Sequence, residues 1–465
     1  MGAISEEVRE ELDVSFCKMA DFRTALTERL KLITGVAEIT DPELLEMTED
    51  ERYKTIMFPM LVIGQPGMGK TEVIMSVIKE INDLYFSDQP EKQLGYIRVH
   101  LGDKSIGAME GVPVPDGEGG ATTAYLEDLP VIPRDNEYGV LFLDEITTCD
   151  EQQVQPAMGL ADSGRNIGAY KLPPHWFLLA AGNGPENQNF IQLTEATVSR
   201  FSLFYVDMDF DTWKDYAFTH HVNNSVIAYL EQYHEGEAGV GNRLIVPCES
   251  EINKWNDPFP TGRSWERVSR LWALWRNSHP GKRITPAQLH KLAGREIGDK
   301  AAGDFAAWYA CLDNMKYSLK KILEGTEVDP SPDVKEEQVY QIIIEIQSYL
   351  LNSVDKLGLF DPEDIPTRIK TDEEFKSVFV QACNAAAWVL KWDGVNTDVA
   401  INCVLDLVGA RREQKSETAK LSSDVAFDKL SALMTSDALA NKVSGWDEFI
   451  ELHSEAIAEE NNMSW

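Results

Sequence analysis

The chain has 465 residues, 43% of them hydrophobic and 26% charged, with a net charge of −34. That is the composition of a folded protein of two to four domains rather than a disordered one, and no apolar run approaches the ~20 residues needed to span a bilayer. The negative balance repels nucleic-acid phosphates and disfavours broad DNA binding, while suiting a basic partner.

The opening MGAISEEVREELDV is acidic and lacks the apolar stretch of a secretory signal. It lies near a myristoylation pattern, but its acidic flank opposes membrane binding. The six cysteines (Cys17, Cys149, Cys248, Cys311, Cys383, Cys403) are scattered, without C-x-x-C and without a histidine at ligand spacing. They predict reduced, buried thiols, no structural zinc site and a cytoplasmic location.

Residues 1–50 read as an N-terminal helical segment. Phe22, Leu26, Leu30 and Leu32 recur at helical spacing, and DPELLEMTEDERYK reads as a capped helix starting after Asp41. From residue 57 the pattern changes to five short apolar runs: PMLVI (59–63), YIRVHL (96–101), VLFLD (140–144), WFLLAAG (176–182) and SLFYVDM (202–208). The gaps leave room for a helix each, which predicts a five-stranded parallel α/β sheet over residues 51–211. The gap between the second and third runs is long and Gly/Pro-rich, as functional loops are.

Helical patterns follow. Trp265, Val268, Leu271, Trp272 and Trp275 form an amphipathic stripe, with a further helical pair behind it. A helical lid is expected over 212–326. The Pro-rich stretch 327–333 is the candidate linker to a C-terminal helical domain, 327–465, which contains QVYQIIIEIQSYLLNSV and SVFVQACNAAAWVLKW.

The chemistry starts at Leu61-Val62-Ile63, followed by Gly64-Gln65-Pro66-Gly67-Met68-Gly69-Lys70-Thr71 and EVIMSVIKEI. Strand, Gly-rich loop and helix form the context of a P-loop: backbone N–H groups cradle phosphates, and the helix N-terminus adds positive potential. Lys70 is expected on the β/γ-phosphates and Thr71 on Mg²⁺. In GVLFLDEITT the apolar run ends in Asp144-Glu145, at the end of a parallel strand where ligands bind. Asp144 would hold Mg²⁺ through water, and Glu145 would polarise the attacking water.

Asn183, after LLAAG, is placed to help orient that water. Arg200, before the fifth run, can stabilise transferring phosphate charge from a neighbouring subunit. Arg165 is a second candidate for a trans nucleotide contact. Arg263 would open a lid helix and touch the γ-phosphate from the same subunit, with Arg267 and Arg270 as alternatives. His220-His221 reads as a surface pair rather than a metal site.

In that order, GQPGMGKT, LFLDE, AAGN, VSRF and TGRSWE resemble the AAA+ ATPases, and within them the MoxR-like branch, of the dynein-related AAA subfamily. VQPAMGLADSGRNIGAYKLPPHWFLLAAGN looks like that branch's helix, pre-sensor hairpin and sensor strand, and EGVPVPDG resembles its helix-two insertion. The similarity covers residues 57 to about 310. It implies Lys70 and Thr71 as Walker A, Asp144 and Glu145 as Walker B, Asn183 as sensor 1, Arg200 as arginine finger and Arg263 as sensor 2. The family often has Thr-Pro-Arg where this chain has Thr261-Gly262-Arg263, and that glycine loosens the lid entry.

The resemblance further implies a homo-hexameric ring that hydrolyses ATP with Mg²⁺ to remodel a protein substrate, often beside a partner with a von Willebrand factor A domain. Two other readings stay open: a nucleic-acid motor or loader, opposed by the charge, and a nucleotide-gated scaffold in phage or defence assembly, opposed by the intact Asp144-Glu145 pair.

Overall fold

The computed structural model describes residues 16–103, 112–115, 120–124, 129–132, 134–185, 190–207, 210–234, 244, 258–393, 395–408 and 422–452. The opening acidic segment, Cys248 and half of EGVPVPDG (110, 111, 116 and 117) lie outside these residues. The chain divides into two compact units, with the boundary after residue 209.

The described residues of the first unit form ten strands: β1 (Phe16–Lys18), β2 (Met60–Ile63), β3 (Gly95–His100), β4 (Val112–Pro115), β5 (Ala121–Ala124), β6 (Gly139–Asp144), β7 (Asn166–Ile167), β8 (Tyr170–Lys171), β9 (Trp176–Gly182) and β10 (Ser202–Asp207). Six make one parallel sheet in the order β1-β10-β2-β9-β6-β3. The five expected runs are all strands of it.

The sheet has six strands rather than five, because β1 joins its edge beside β10, Phe16 pairing with Tyr205. Residues 16–33 therefore belong to the α/β core and are not a separate segment. After β1, the helix Met19–Ile33 buries Phe22, Leu26 and Leu30 on one face. The single helix expected after Asp41 is two, Pro42–Glu46 and Glu49–Ile56. The Thr48 hydroxyl accepts from Glu51 N–H and starts the second.

β2, β6 and β9 are buried at every position, so their runs are continuous rather than alternating. Edge strand β3 is mostly half-buried. The gap between β3 and β6 holds a 3-10 turn, Leu101–Asp103, and an antiparallel hairpin, β4 with β5, and no α-helix among its described residues. The gap between β6 and β9 carries the helix Glu151–Ala161 and the hairpin β7–β8.

The second unit is helical. In it Trp265 and Trp272 are buried while Trp275 and Leu271 are half-buried. Trp265 packs with Tyr229 and Phe305 at ring distances of 5.5 Å. The expected helical pair is Pro286–Ile297 and Asp299–Ala310, broken at Gly298, whose φ is +81°. The helices Glu336–Lys356 and Glu373–Leu390 share one core with Tyr317, Ile322 and Leu323.

Residues 327–333 are pinned to that core. Trp388 Nε1 donates to Val328 O at 3.1 Å, Lys391 pairs with Asp329 at 2.6 Å, and Ser331 N–H donates to the Tyr317 hydroxyl at 2.9 Å. The stretch expected to be a linker is thus docked inside one unit that covers both the expected lid and the C-terminal helices.

Candidate functional site

Three neighbouring strands, β2, β9 and β6, run parallel and end at the same edge of the sheet. β2 runs into the loop Gly64–Gly69, β9 into Asn183, and β6 ends at Asp144. Residues far apart in sequence converge because parallel strands put all their C-terminal ends together, which is where ligands bind in open α/β sheets.

The loop's shape depends on its glycines. Gly67 and Gly69 have φ of +83° and +90°, a region that side chains rarely enter. At Gly64 a side chain has no room: a Cβ would sit 2.7 Å from Val206 Cγ2. Pro66 is exposed, Gln65 half-exposed and Met68 buried. The chain then enters the helix Lys70–Tyr85 with Gly69 as its N-cap. The first N–H groups of that helix lack partners within it, and Thr71 stands in its first turn.

Lys70 is 9% exposed. Its Nζ donates to Gly64 O at 2.5 Å and Gln65 O at 2.9 Å, and reaches Asn183 Oδ1 at 3.5 Å. The ammonium thus sits inside the loop and faces the end of β9.

Asp144 is 7% exposed, and its Oδ1 accepts from Glu145 N–H at 2.9 Å. Glu145 is exposed and has φ of +62°. A non-glycine residue there carries strain of about 1–3 kcal/mol, and such strain clusters at functional sites. The Glu145 carbonyl accepts from Thr148 N–H at 3.0 Å and Thr148 Oγ1 at 2.8 Å, which holds the turn.

Two contributors escaped the sequence reading. Thr147, fully buried, donates from Oγ1 to Asn183 O at 3.0 Å and accepts from Asn183 N–H at 2.7 Å. It locks the end of β9 to the turn after the acidic pair. Arg98, on β3, donates from Nε to Asp144 Oδ2 at 2.9 Å and from Nη2 to the same oxygen. In YIRVHL it looks only like a polar break in an apolar run; the β3–β6 register is what makes it a partner of Asp144.

The arginines divide. Arg200 follows the short helix Glu195–Val198, and its Nε donates to Asp162 Oδ1 at 2.7 Å, so it is paired within its own chain. Arg165 has φ of +50° and anchors a hairpin. It donates to Pro174 O at 3.1 Å and also to the Tyr53 hydroxyl and Trp176 O. Burial lowers its pKa. Its guanidinium makes these internal contacts rather than the outward one expected of a trans residue.

Arg263 belongs to the second unit, exposed in the first turn of the helix Gly262–Ser278, which the Thr261–Ser264 capping box starts. Arg267 pairs with Glu296 at 3.5 Å and Arg270 with Glu266. Arg263 makes no ion pair among the described residues.

The donor set fits a phosphate-bearing ligand with a hard divalent cation. A left-handed glycine turn, a helix N-terminus and a buried lysine suit phosphate oxygens, and Asp144 and Thr71 carry the oxygen donors a hard cation would take. A Cβ at Gly69 would meet no atom within 4 Å, so the loop is open there. Among the described residues no group of three or more His, Cys, Asp or Glu residues is placed to hold a metal ion. A scan against protein-family models finds none that matches the chain.

Proposed function

We propose that the chain is an ATPase of the P-loop class, and that it works as a MoxR-like AAA+ remodeler of a protein substrate or partner complex. One observation carries the nucleotide reading: the Gly64–Thr71 loop, Asn183 and Asp144-Glu145 stand on three adjacent parallel strand ends, with Lys70 Nζ reaching Asn183 Oδ1.

Bound magnesium ATP supplies the phosphoanhydride bond and charge neutralisation at its phosphates. The loop N–H groups and Lys70 Nζ would bind those phosphates, and Thr71 and Asp144 would hold the cation. The Glu145 carboxylate takes the proton of the attacking water. Asn183 orients that water through its side chain, and Thr147 fixes the backbone from which Asn183 projects. Arg200 completes the site of a neighbouring subunit and Arg263 serves as sensor 2.

The remodeler reading is supported by the order helix, hairpin β7–β8 and strand β9 in front of Asn183, and by the second hairpin β4–β5. The two hairpins expose Pro113, Val114, Pro115, Asn166 and Lys171, which can act on a substrate. The charge of −34 favours a protein substrate over nucleic acid. A homo-hexamer, which a trans arginine requires in some closed form, and a von Willebrand factor A domain partner belong to the same reading.

Equilibrium binding of a fluorescent ATP analogue to the full chain tests the nucleotide reading. Wild type is expected to bind it with magnesium, and Lys70→Ala to lose at least about tenfold in affinity, as removal of a charged hydrogen-bond donor implies. Equal binding by the two proteins would overturn it.

A further inference from the structure

Arg98 is the part of this site that the proposed mechanism leaves unused. β3 pairs with β6 so that Arg98 stands opposite Phe142 and His100 opposite Asp144. Arg98 therefore shares a face with Asp144, one pleat back, within reach of its carboxylate.

Both oxygens of that carboxylate are engaged. Oδ2 accepts from Arg98 Nε at 2.9 Å and from its Nη2, while Oδ1 accepts from Glu145 N–H at 2.9 Å. Exposure is unequal across the pair: the Arg98 side chain is 37% exposed and that of Asp144 10%. The guanidinium has a route into solvent that the carboxylate lacks.

The surroundings are polar and under-satisfied. Tyr96, one pleat further back, stacks on Phe142 with ring centroids 6.2 Å apart. Its hydroxyl and Glu72 Oε2 are both buried without a hydrogen-bond partner. Burial raises the Tyr96 pKa, with Arg98 opposing and Asp144 and Glu72 adding to the rise. Two carboxylates and a buried phenol thus share the neighbourhood of one guanidinium. The two carboxylates, Asp144 and Glu72, favour added positive charge there by Coulomb attraction.

We propose that Arg98 is a displaceable counter-ion of Asp144, competing with the divalent cation for the Oδ2 oxygen and so setting the magnesium concentration at which the site loads. The inference rests on the reading of Asp144 as a cation-holding residue. While the pair is made, Asp144 is held in place but its Oδ2 is occupied; an arriving cation takes over that oxygen, and the guanidinium moves toward solvent. Arg98 is thereby a positioning residue, acting through Asp144.

The test is a magnesium titration of fluorescent ATP-analogue binding to the full chain, for wild type, Arg98→Gln and Arg98→Lys. Arg98→Gln is expected to lower the half-saturating magnesium concentration about fivefold, the scale of one partly exposed charge-assisted pair. Arg98→Lys, which keeps the charge but loses the planar fork, is expected to lower it about twofold. Affinity for the metal-free nucleotide stays unchanged. In an Asp144→Asn background, Arg98→Gln should have no effect on the magnesium dependence.

A half-saturating concentration that is unchanged or raised in a folded Arg98→Gln protein overturns the proposal. If that variant does not fold, the same outcome in Arg98→Lys overturns it. Absence of nucleotide binding in wild type removes the nucleotide reading and this inference together. Magnesium-dependent binding in wild type that is indifferent to Arg98 removes this inference alone.

Discussion

The Thr147 hydroxyl and the Asn183 backbone bond to each other in both directions: Oγ1 donates to Asn183 O at 3.0 Å and accepts from Asn183 N–H at 2.7 Å. The turn after the acidic pair and the end of β9 are thereby one rigid piece. Thr147→Val keeps the shape but leaves two part-buried backbone groups of Asn183 unpaired, at a cost of about 1–2 kcal/mol each, the lower part of the range for buried groups. The expected outcome is a protein destabilised by about 2–4 kcal/mol in denaturant unfolding, with ATP turnover lowered more than ATP binding. Thr147→Ser, which keeps the hydroxyl, should recover most of both. Equal stability of the valine and serine variants would contradict the role.

Gly182 is the other half of this contact. A Cβ there would sit 2.4 Å from Thr147 Cγ2 and 2.7 Å from Oγ1. Gly182→Ala should cost about 1–3 kcal/mol, the usual price of overpacking a tight interior. Thermal unfolding of the variant checks this, and a melting temperature equal to wild type would count against the close packing.

Arg200 is held by Asp162 at 2.7 Å. If Arg200 serves a neighbour's site, assembly has to exchange that pair. Arg200→Ala subunits mixed with wild type should then lower turnover per wild-type subunit. Asp162→Ala, which frees the arginine, should retain turnover and assemble at a lower protein concentration. Turnover in Arg200→Ala mixtures that simply tracks the wild-type fraction would show that the arginine does not act in trans.

The thiols make a pH prediction. The expectation of buried cysteines holds for Cys149 and Cys403, whereas Cys17, Cys311 and Cys383 are half-buried. Burial pushes the Cys17 and Cys383 thiols up to about 11. The thiolate is the reactive form, so both should be nearly inert to alkylation at pH 7. Their labelling rates should rise about tenfold per pH unit up to pH 10, as thiolate fraction does well below the pKa. Mass-spectrometric labelling kinetics on the native protein check this; a plateau near pH 8 would contradict it.

The parts of the fold legible in sequence were those written in local pattern. Continuous apolar runs marked β2, β6 and β9 because both faces of each are buried. β1 was not legible, since three residues, Phe16–Lys18, carry no periodicity and become a strand only by pairing with β10. The Pro-rich stretch 327–333 read as a linker because composition does not reveal Trp388 and Lys391, which pin it. At the site, Gly64–Thr71 and Asp144-Glu145 were readable because loop and strand end are contiguous. Arg98 and Thr147 were not, because each acts across the sheet on a residue 46 or 36 positions away.

The central claim is that Glu145 serves hydrolysis at a nucleotide site built on Lys70. Steady-state phosphate release by wild type and Glu145→Gln, alongside their affinities for ATP, tests it most directly. The account predicts turnover in wild type, a loss of about 10²–10⁴-fold in the variant, the usual contribution of a general base, and ATP affinity within about threefold. ATP turnover in Glu145→Gln at the wild-type rate, or none in wild type, would contradict it.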